Sequence, residues 1–373
     1  MPSADDAHLT PMRVLSALGQ AAWVDNLSRE SNRDGRLQRL IDDDSIVGAT
    51  SNPTIFQKAM AGGEAYEEQL RALEAGMPIK DVYWTLAEQD IREACDLFGP
   101  IFDAGGGRDG YVSLEVDPGV AYDTLATFRE AIRIHESVER PNLFVKIPAT
   151  KPGLAAIEDV IAKGRSINVT LIFSLQRYEH VAESYVRGLQ RLVAAGGDPS
   201  KVASVASFFV SRIDTEADKR LEQIGGHDEL KGKLAIANAR LAYQSYKAIF
   251  AGPRWEYLAS KGATPQRVLW ASTSVKNLTY RDTMYVEELI GPDTVDTMPE
   301  ETIRDFQEHG VPRPRLEAGL AAARRLFGEL ADAGVDYEDL TDTLEREGVE
   351  KFAASFDELL AALEQKRSAL AAA

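Results

Sequence analysis

Leu143-Phe144-Val145-Lys146-Ile147-Pro148-Ala149 is the stretch on which the reading of this chain turns. Apart from one lysine it is a short continuous apolar run, as expected of a strand buried on both faces of a parallel sheet. An unpaired ammonium is costly to bury, and burial favours loss of its proton. A neutral amine in an apolar pocket is a nucleophile toward carbonyl carbon, so Lys146 reads as a Schiff-base lysine. An edge strand with Lys146 in water is the competing reading, and this segment alone leaves both open.

Similar runs recur along the chain. Strands are predicted at Ala21–Asp25, Ile46–Asn52, Gly110–Val116, Asn142–Ala149, Ser166–Phe173, Lys201–Val210, Arg267–Ser274 and Thr294–Met298. Amphipathic segments such as Leu154–Ala162, Leu175–Val193 and Asp214–Phe250 lie between them. Repeated β-then-α order means a parallel sheet, and eight units favour a closed barrel over an open doubly wound sheet. Beyond Pro299 the pattern is helical only, with a stripe of Phe352, Phe356, Leu359, Leu360 and Leu363. The expectation is one α/β domain over residues 1–373, an eight-stranded parallel (β/α)8 TIM barrel. Extra helices are expected in Pro53–Pro100, which is long for one crossover, and a helical C-terminal extension, residues 300–373, is expected to pack on the barrel.

Composition narrows the function. The 373 residues are 44% hydrophobic and 27% charged, ordinary for a soluble globular protein, and the net charge is −17. Such a chain repels polyanions, so no nucleic-acid partner is expected, and an anionic substrate would need cations placed at the site. No stretch reaches 18 apolar residues, and the N-terminus carries acids without an apolar core, so neither a membrane partner nor a signal peptide is expected. A cytoplasmic location follows. The lone Cys95 lies in a helical pattern and reads as a packing residue. The five histidines lack ligand spacing, so no metal is expected.

Side chains alternate faces along a strand, so i and i+2 share one. Thr50 and Asn52, Ser113 and Glu115, Asn168 and Thr170, and Ser272 and Ser274 are polar pairs of this kind toward the C-terminal ends of four strands. Any one pair could be a strand running out into solvent. Together with Lys146 and Asp25 they describe the rim where barrel enzymes build active sites.

At this point the residues resemble the transaldolase family. The resemblance runs through Trp23-Val24-Asp25-Asn26-Leu27-Ser28-Arg29 and Gly48-Ala49-Thr50-Ser51-Asn52-Pro53-Thr54-Ile55-Phe56. It continues through Val112-Ser113-Leu114-Glu115-Val116-Asp117-Pro118, Val145-Lys146-Ile147-Pro148-Ala149-Thr150 and Ile167-Asn168-Val169-Thr170-Leu171-Ile172-Phe173-Ser174. The last matches are Ala206-Ser207-Phe208-Phe209-Val210-Ser211-Arg212 and Ala271-Ser272-Thr273-Ser274-Val275-Lys276-Asn277. It implies a cofactor-free transfer of a dihydroxyacetone unit from a ketose phosphate, such as sedoheptulose 7-phosphate or fructose 6-phosphate. The acceptor would be glyceraldehyde 3-phosphate or erythrose 4-phosphate, in the non-oxidative pentose phosphate pathway.

By motif position, Lys146 resembles the Schiff-base lysine and Asp25 the acid/base acting on the C4 hydroxyl. Glu115 and Thr170 resemble the pair that holds a catalytic water. Asn52 and Asn168 resemble the amides that orient donor hydroxyls, while Ser207, Arg212, Ser274 and Lys276 align with phosphate and hydroxyl contacts. Lys276 stands where many members carry arginine, which makes a point charge of a fork. Glu115 and Phe209 match the transferases, whereas related aldolases that release free dihydroxyacetone tend to carry glutamine and tyrosine. The sequence leaves monomer and homodimer open.

Three other readings compete: a Schiff-base aldolase, a pyridoxal phosphate enzyme that would be yellow, and a non-catalytic barrel. Gly105-Gly106-Gly107-Arg108-Asp109-Gly110 spells a dinucleotide fingerprint, but a helix precedes it and a strand follows, so a turn is expected.

Overall fold

A computed structural model describes residues 10–62, 64–74 and 76–372. The strands are β1 (Gln20–Val24), β2 (Ile46–Thr50), β3 (Tyr111–Glu115), β4 (Leu143–Pro148), β5 (Ile167–Ile172), β6 (Ser204–Phe209), β7 (Arg267–Ala271) and β8 (Thr294–Met298). All pair in parallel, in chain order, and β1 closes the ring on β8 through five consecutive register pairs from Gln20↔Thr294 to Val24↔Met298. This is the eight-stranded (β/α)8 barrel, surrounded by helices, that the sequence predicts. Nearly every strand residue is buried, which is why the strands read as continuous apolar runs rather than alternating ones.

Inside the ring, parity sorts the side chains into layers. Trp23, Tyr111 and Phe144 form an aromatic floor: Tyr111 stacks on Phe144 at 3.9 Å, and Trp23 lies 6.0 Å from it. Gly48 leaves room for the indole, since a Cβ there would come within 2.5 Å of the Trp23 ring. Asp25, Thr50, Glu115 and Lys146 stand two or four residues farther along the same faces, above that floor.

The segment after β2 holds helices Pro53–Gly62, Glu67–Ala72 and Ile79–Ala104, as its length suggested. It is tied to the loop after β1 through a buried cluster. The Arg29 Nε donates to Asp90 Oδ1 at 2.7 Å, the Tyr66 hydroxyl donates to Asp90 Oδ2 at 2.8 Å, and the guanidinium lies 4.5 Å from the Tyr66 ring centre. Asp90→Ala leaves a buried guanidinium unpaired, so the expected cost is about 3–5 kcal/mol. Urea denaturation checks this; an unchanged midpoint would refute it.

Three expectations are corrected. Asp214–Phe250 is two helices, Ser211–Ile224 and Leu234–Ile249, because Gly225 and Gly226 turn the chain at φ of +81° and +83°. The sixth strand starts at Ser204, not Lys201, because Asp198 caps a short turn at Pro199–Lys201 through Ser200. The tail is not helix throughout: residues 310–319, with Pro312 and Pro314, separate helix Glu300–His309 from helix Leu320–Asp332. Helix Tyr337–Ala372 then closes the chain.

That last helix lies on the C-terminal side of the barrel, packed along Pro53–Gly62. At its start the Tyr337 hydroxyl donates to Asn238 Oδ1 at 2.6 Å and accepts from Leu175 N at 3.0 Å. About two turns later Glu345 pairs with Arg177 at 3.0 Å. Farther on, Phe356 packs edge-on against Tyr83 at 5.0 Å, and Phe352, Phe356, Leu359 and Leu363 of the predicted stripe are buried. Gly348 permits a close approach to the barrel: a Cβ there would stand 3.0 Å from Leu171 Cδ2.

Cys95 is buried, and burial pushes its thiol well above its ordinary range, as fits a packing residue. The glycine run 105–110 is a turn between a helix ending at Ala104 and β3.

Candidate active site

Register brings the central residues together. Glu115 on β3 pairs with Lys146 on β4, and Lys146 with Asn168 on β5. Thr170 stands one inward position farther, opposite Pro148. Lys146 and Glu115 are each only 4% exposed, and Nζ lies 3.4 Å from Glu115 Oε2. The amine also donates to the Ser51 carbonyl at 3.2 Å. Both carboxylate oxygens of Glu115 and the Thr170 hydroxyl are buried without a hydrogen-bond partner within the protein. Burial pushes the Glu115 carboxyl up, opposed chiefly by the charge of Lys146.

Asp25 follows β1 directly. Its Oδ1 accepts from the Thr50 hydroxyl at 2.6 Å, and Thr50 in turn contacts the Thr297 hydroxyl at 2.7 Å. Burial raises the Asp25 carboxyl above its usual range. Lys146, the Thr50 hydrogen bond and Arg212, in that order, pull it back. Asp25 and Lys146 open into one cavity of about 480 Å³, large enough for a sugar phosphate, at the C-terminal mouth of the barrel.

Of the residues named from sequence, Asn52, Ser207, Phe209, Arg212, Ser274 and Lys276 line that cavity too. Asn52 also caps a helix, its Oδ1 accepting from Ile55 N at 3.0 Å, so its side-chain amide is held in place. Arg212, at the start of helix Ser211–Ile224, lies 5.1 Å over the Phe209 ring. Lys276 donates to the Ser274 hydroxyl at 2.7 Å. Glu115, Asn168 and Thr170 do not line the cavity. Glu115 reaches it through Lys146, and Asn168 through Ser207, whose hydroxyl donates to Asn168 Oδ1 at 2.7 Å. The Asn168 amide donates onward to Ser113 at 3.1 Å.

Sequence reasoning expected the C-terminal tail on the barrel but named none of its residues in the site. Leu344, Glu347, Gly348, Lys351 and Phe352, all on helix Tyr337–Ala372, line the cavity. Phe352 puts its ring centre 5.8 Å from the Lys146 amine. The available signal was Gly348, a helix breaker inside an amphipathic pattern, which marks a close approach to another backbone or side chain.

The arrangement can form and hydrolyse an imine. It offers a nucleophilic amine, a carboxylate beside it, a second carboxylate in the same cavity, and cations on the wall.

Comparison with known proteins agrees. The family model "Transaldolase/Fructose-6-phosphate aldolase" matches residues 22–363. The "Transaldolase" of Acidothermus cellulolyticus is 53% identical over 356 residues, 95% of this chain and 96% of its own length. That of a Parafrankia species is 53% identical over 354 residues, covering 94% and 96%. The "Transaldolase" of Mycolicibacterium paratuberculosis is 50% identical over 94% of this chain and 95% of its own length. A family match over residues 22–363, with relatives about half identical over nearly the whole chain, means that this protein belongs to the transaldolase/fructose-6-phosphate aldolase family.

Proposed function

We propose that this enzyme is a transaldolase, transferring a dihydroxyacetone unit between sugar phosphates through an imine on Lys146. The observation that carries the reading is the buried Lys146 amine, 3.4 Å from Glu115 and sharing one cavity with Asp25 and with the cations Arg212 and Lys276.

Lys146, once it has given up a proton, attacks C2 of the donor ketose, and the carbonyl oxygen takes up a proton to give a carbinolamine. Glu115 and Thr170, with unused buried hydrogen-bonding atoms, suit a water that shuttles the proton needed to expel hydroxide as water. The product is an iminium. Asp25 then removes the C4 hydroxyl proton, the C3–C4 bond breaks, and its electron pair flows into the iminium to give an enamine while the aldose leaves. The enamine adds to the acceptor aldehyde, Asp25 returns its proton to the new alkoxide, and hydrolysis frees Lys146. Asn52 orients donor hydroxyls, Asn168 does so through Ser207, and Phe209 shapes the cavity. Ser207, Arg212, Ser274 and Lys276 receive phosphate and hydroxyl groups. The substrates are sugar phosphates, the chemistry needs no cofactor, and the protein acts in the cytoplasm as a monomer or homodimer. No helix among the described residues is long and apolar enough to cross a membrane.

A second reading, release of free dihydroxyacetone, shares the family and the lysine. Glu115 and Phe209 favour transfer. A coupled assay separates the two. Transfer from fructose 6-phosphate to erythrose 4-phosphate should greatly exceed dihydroxyacetone release without an acceptor; the reverse ratio would make it an aldolase.

Retaining the enamine until an acceptor arrives requires exclusion of water. Phe352 is the side chain of the last helix that lies over Lys146. Phe352→Ala should raise the ratio of donor hydrolysis to transfer severalfold, measured as dihydroxyacetone released per turnover. An unchanged ratio would remove this role from the helix.

A further inference from the structure

Helix Tyr337–Ala372 brings a cation to the cavity that the chemistry above leaves unused. Lys351 lines it together with Arg212, Ser274 and Lys276. Most cations of this chain find a carboxylate, as expected at a net charge of −17: Lys80 pairs with Asp117, Lys219 with Glu216 and Lys231 with Asp228. These three do not. Among the described residues none of Arg212, Lys276 and Lys351 has a carboxylate within ion-pair distance; their side chains meet the Phe209 ring, the Ser274 hydroxyl and no hydrogen-bond partner, respectively.

The crowding is felt electrostatically. The charge of Arg212, then burial, then Lys276 and Lys58 hold the Lys351 ammonium below its ordinary range. Three acids face the same cavity: Asp25, whose charge reaches Arg212 without an ion pair, Glu216 and Glu347. Glu216 is engaged by Lys219 and Arg220, and Glu347, one turn before Lys351, makes no ion pair with it. Convergent like charges disfavour one another until an anion arrives.

We propose that Lys351 is a phosphate-binding residue, the third cation of the sugar-phosphate site, supplied by the C-terminal helix; this rests on the function proposed above. A phosphate dianion presents three terminal oxygens. Arg212 can grip two with its planar fork and Lys276 meets the third as a point charge; each oxygen accepts more than one hydrogen bond, so a second ammonium adds a further donor and charge. The bound phosphate then ties the barrel rim to the helix that carries Phe352. Recognition of the phosphate and cover of the imine are thus linked through adjacent residues.

The test compares wild type with Lys351→Ala, Lys351→Glu and Lys351→Arg. The readouts are steady-state transfer from fructose 6-phosphate, competitive inhibition by inorganic phosphate, and borohydride trapping of phosphate-free dihydroxyacetone on Lys146. Lys351 is exposed enough for solvent to screen it, so Lys351→Ala should raise the KM for fructose 6-phosphate and the inhibition constant of phosphate by about tenfold each. Its kcat should change little, since the lost contact exists in ground and transition states alike. Lys351→Glu should exceed that effect and Lys351→Arg should largely restore both constants, with dihydroxyacetone trapping as in wild type throughout. If wild type transfers and the alanine and glutamate variants keep their KM and inhibition constants, Lys351 has no such role. Trapping lost together with KM would mark Lys351 as structural and overturn the assignment as well. Failure of the wild type to transfer from any sugar phosphate would instead bring down the proposed function, and this inference with it.

Discussion

Lys146→Ala is expected to lower transfer by at least about a thousandfold, since it removes the buried nucleophile that forms the intermediate. The fold should persist. The variant leaves Glu115 without its 3.4 Å partner, but burial already pushes that carboxyl upward, so it can take a proton rather than stay charged. Neutralisation limits the cost that an uncompensated buried charge would otherwise impose. Circular dichroism and the urea midpoint separate the two effects. Activity within about tenfold of wild type would mean that the reaction does not pass through this amine.

Asp25→Ala should separate imine formation from bond cleavage. Lys146 and Glu115 remain in place, so the donor still forms its adduct. Cleavage loses the base that accepts the C4 proton, and a loss of about 10²- to 10⁴-fold in kcat is the usual scale for such a group. Rapid-quench trapping should show full adduct with slow aldose release; fast release would strip Asp25 of the role. A pH dependence accompanies this. The base works ionised, so activity rises with pH through its pKa. Burial raises that pKa above 3.8, and the acid limb of the wild-type profile should lie above the ordinary aspartate range. Asp25→Ala should abolish that limb if cleavage limits the rate.

Much of this was legible in the sequence because the barrel strands are short, apolar and contiguous. Burial of both faces writes itself into a run such as Leu143–Ala149 with little help from distant residues. Parity within a strand was enough to put Lys146, Glu115 and Asp25 on inward faces. Where parity was carried past a strand end, it was weaker. β7 stops at Ala271, so Ser272 and Ser274 reach the cavity by way of a turn in which Ser272 adopts φ +59°, not by pleating. Breaks in helices were also hard to read. The Gly225-Gly226 turn was absorbed into one long amphipathic pattern because its flanks continue the helical period.

The cover helix illustrates the limit most clearly. Its stripe of Phe352, Phe356, Leu359 and Leu363 announced a face packed on the barrel, but not the residues it meets. Which residues these are depends on tertiary contacts: Tyr83 against Phe356, Arg177 against Glu345, Leu171 beside Gly348. None leaves a local pattern, so the sequence did not single out Lys351.

Borohydride reduction in the presence of fructose 6-phosphate, followed by peptide mass mapping, addresses the central claim most directly. The account predicts a three-carbon dihydroxyacetone adduct, together with unreleased donor, on the peptide bearing Lys146 and on no other lysine. An adduct on a different lysine, or none from protein that is turning over, would contradict it.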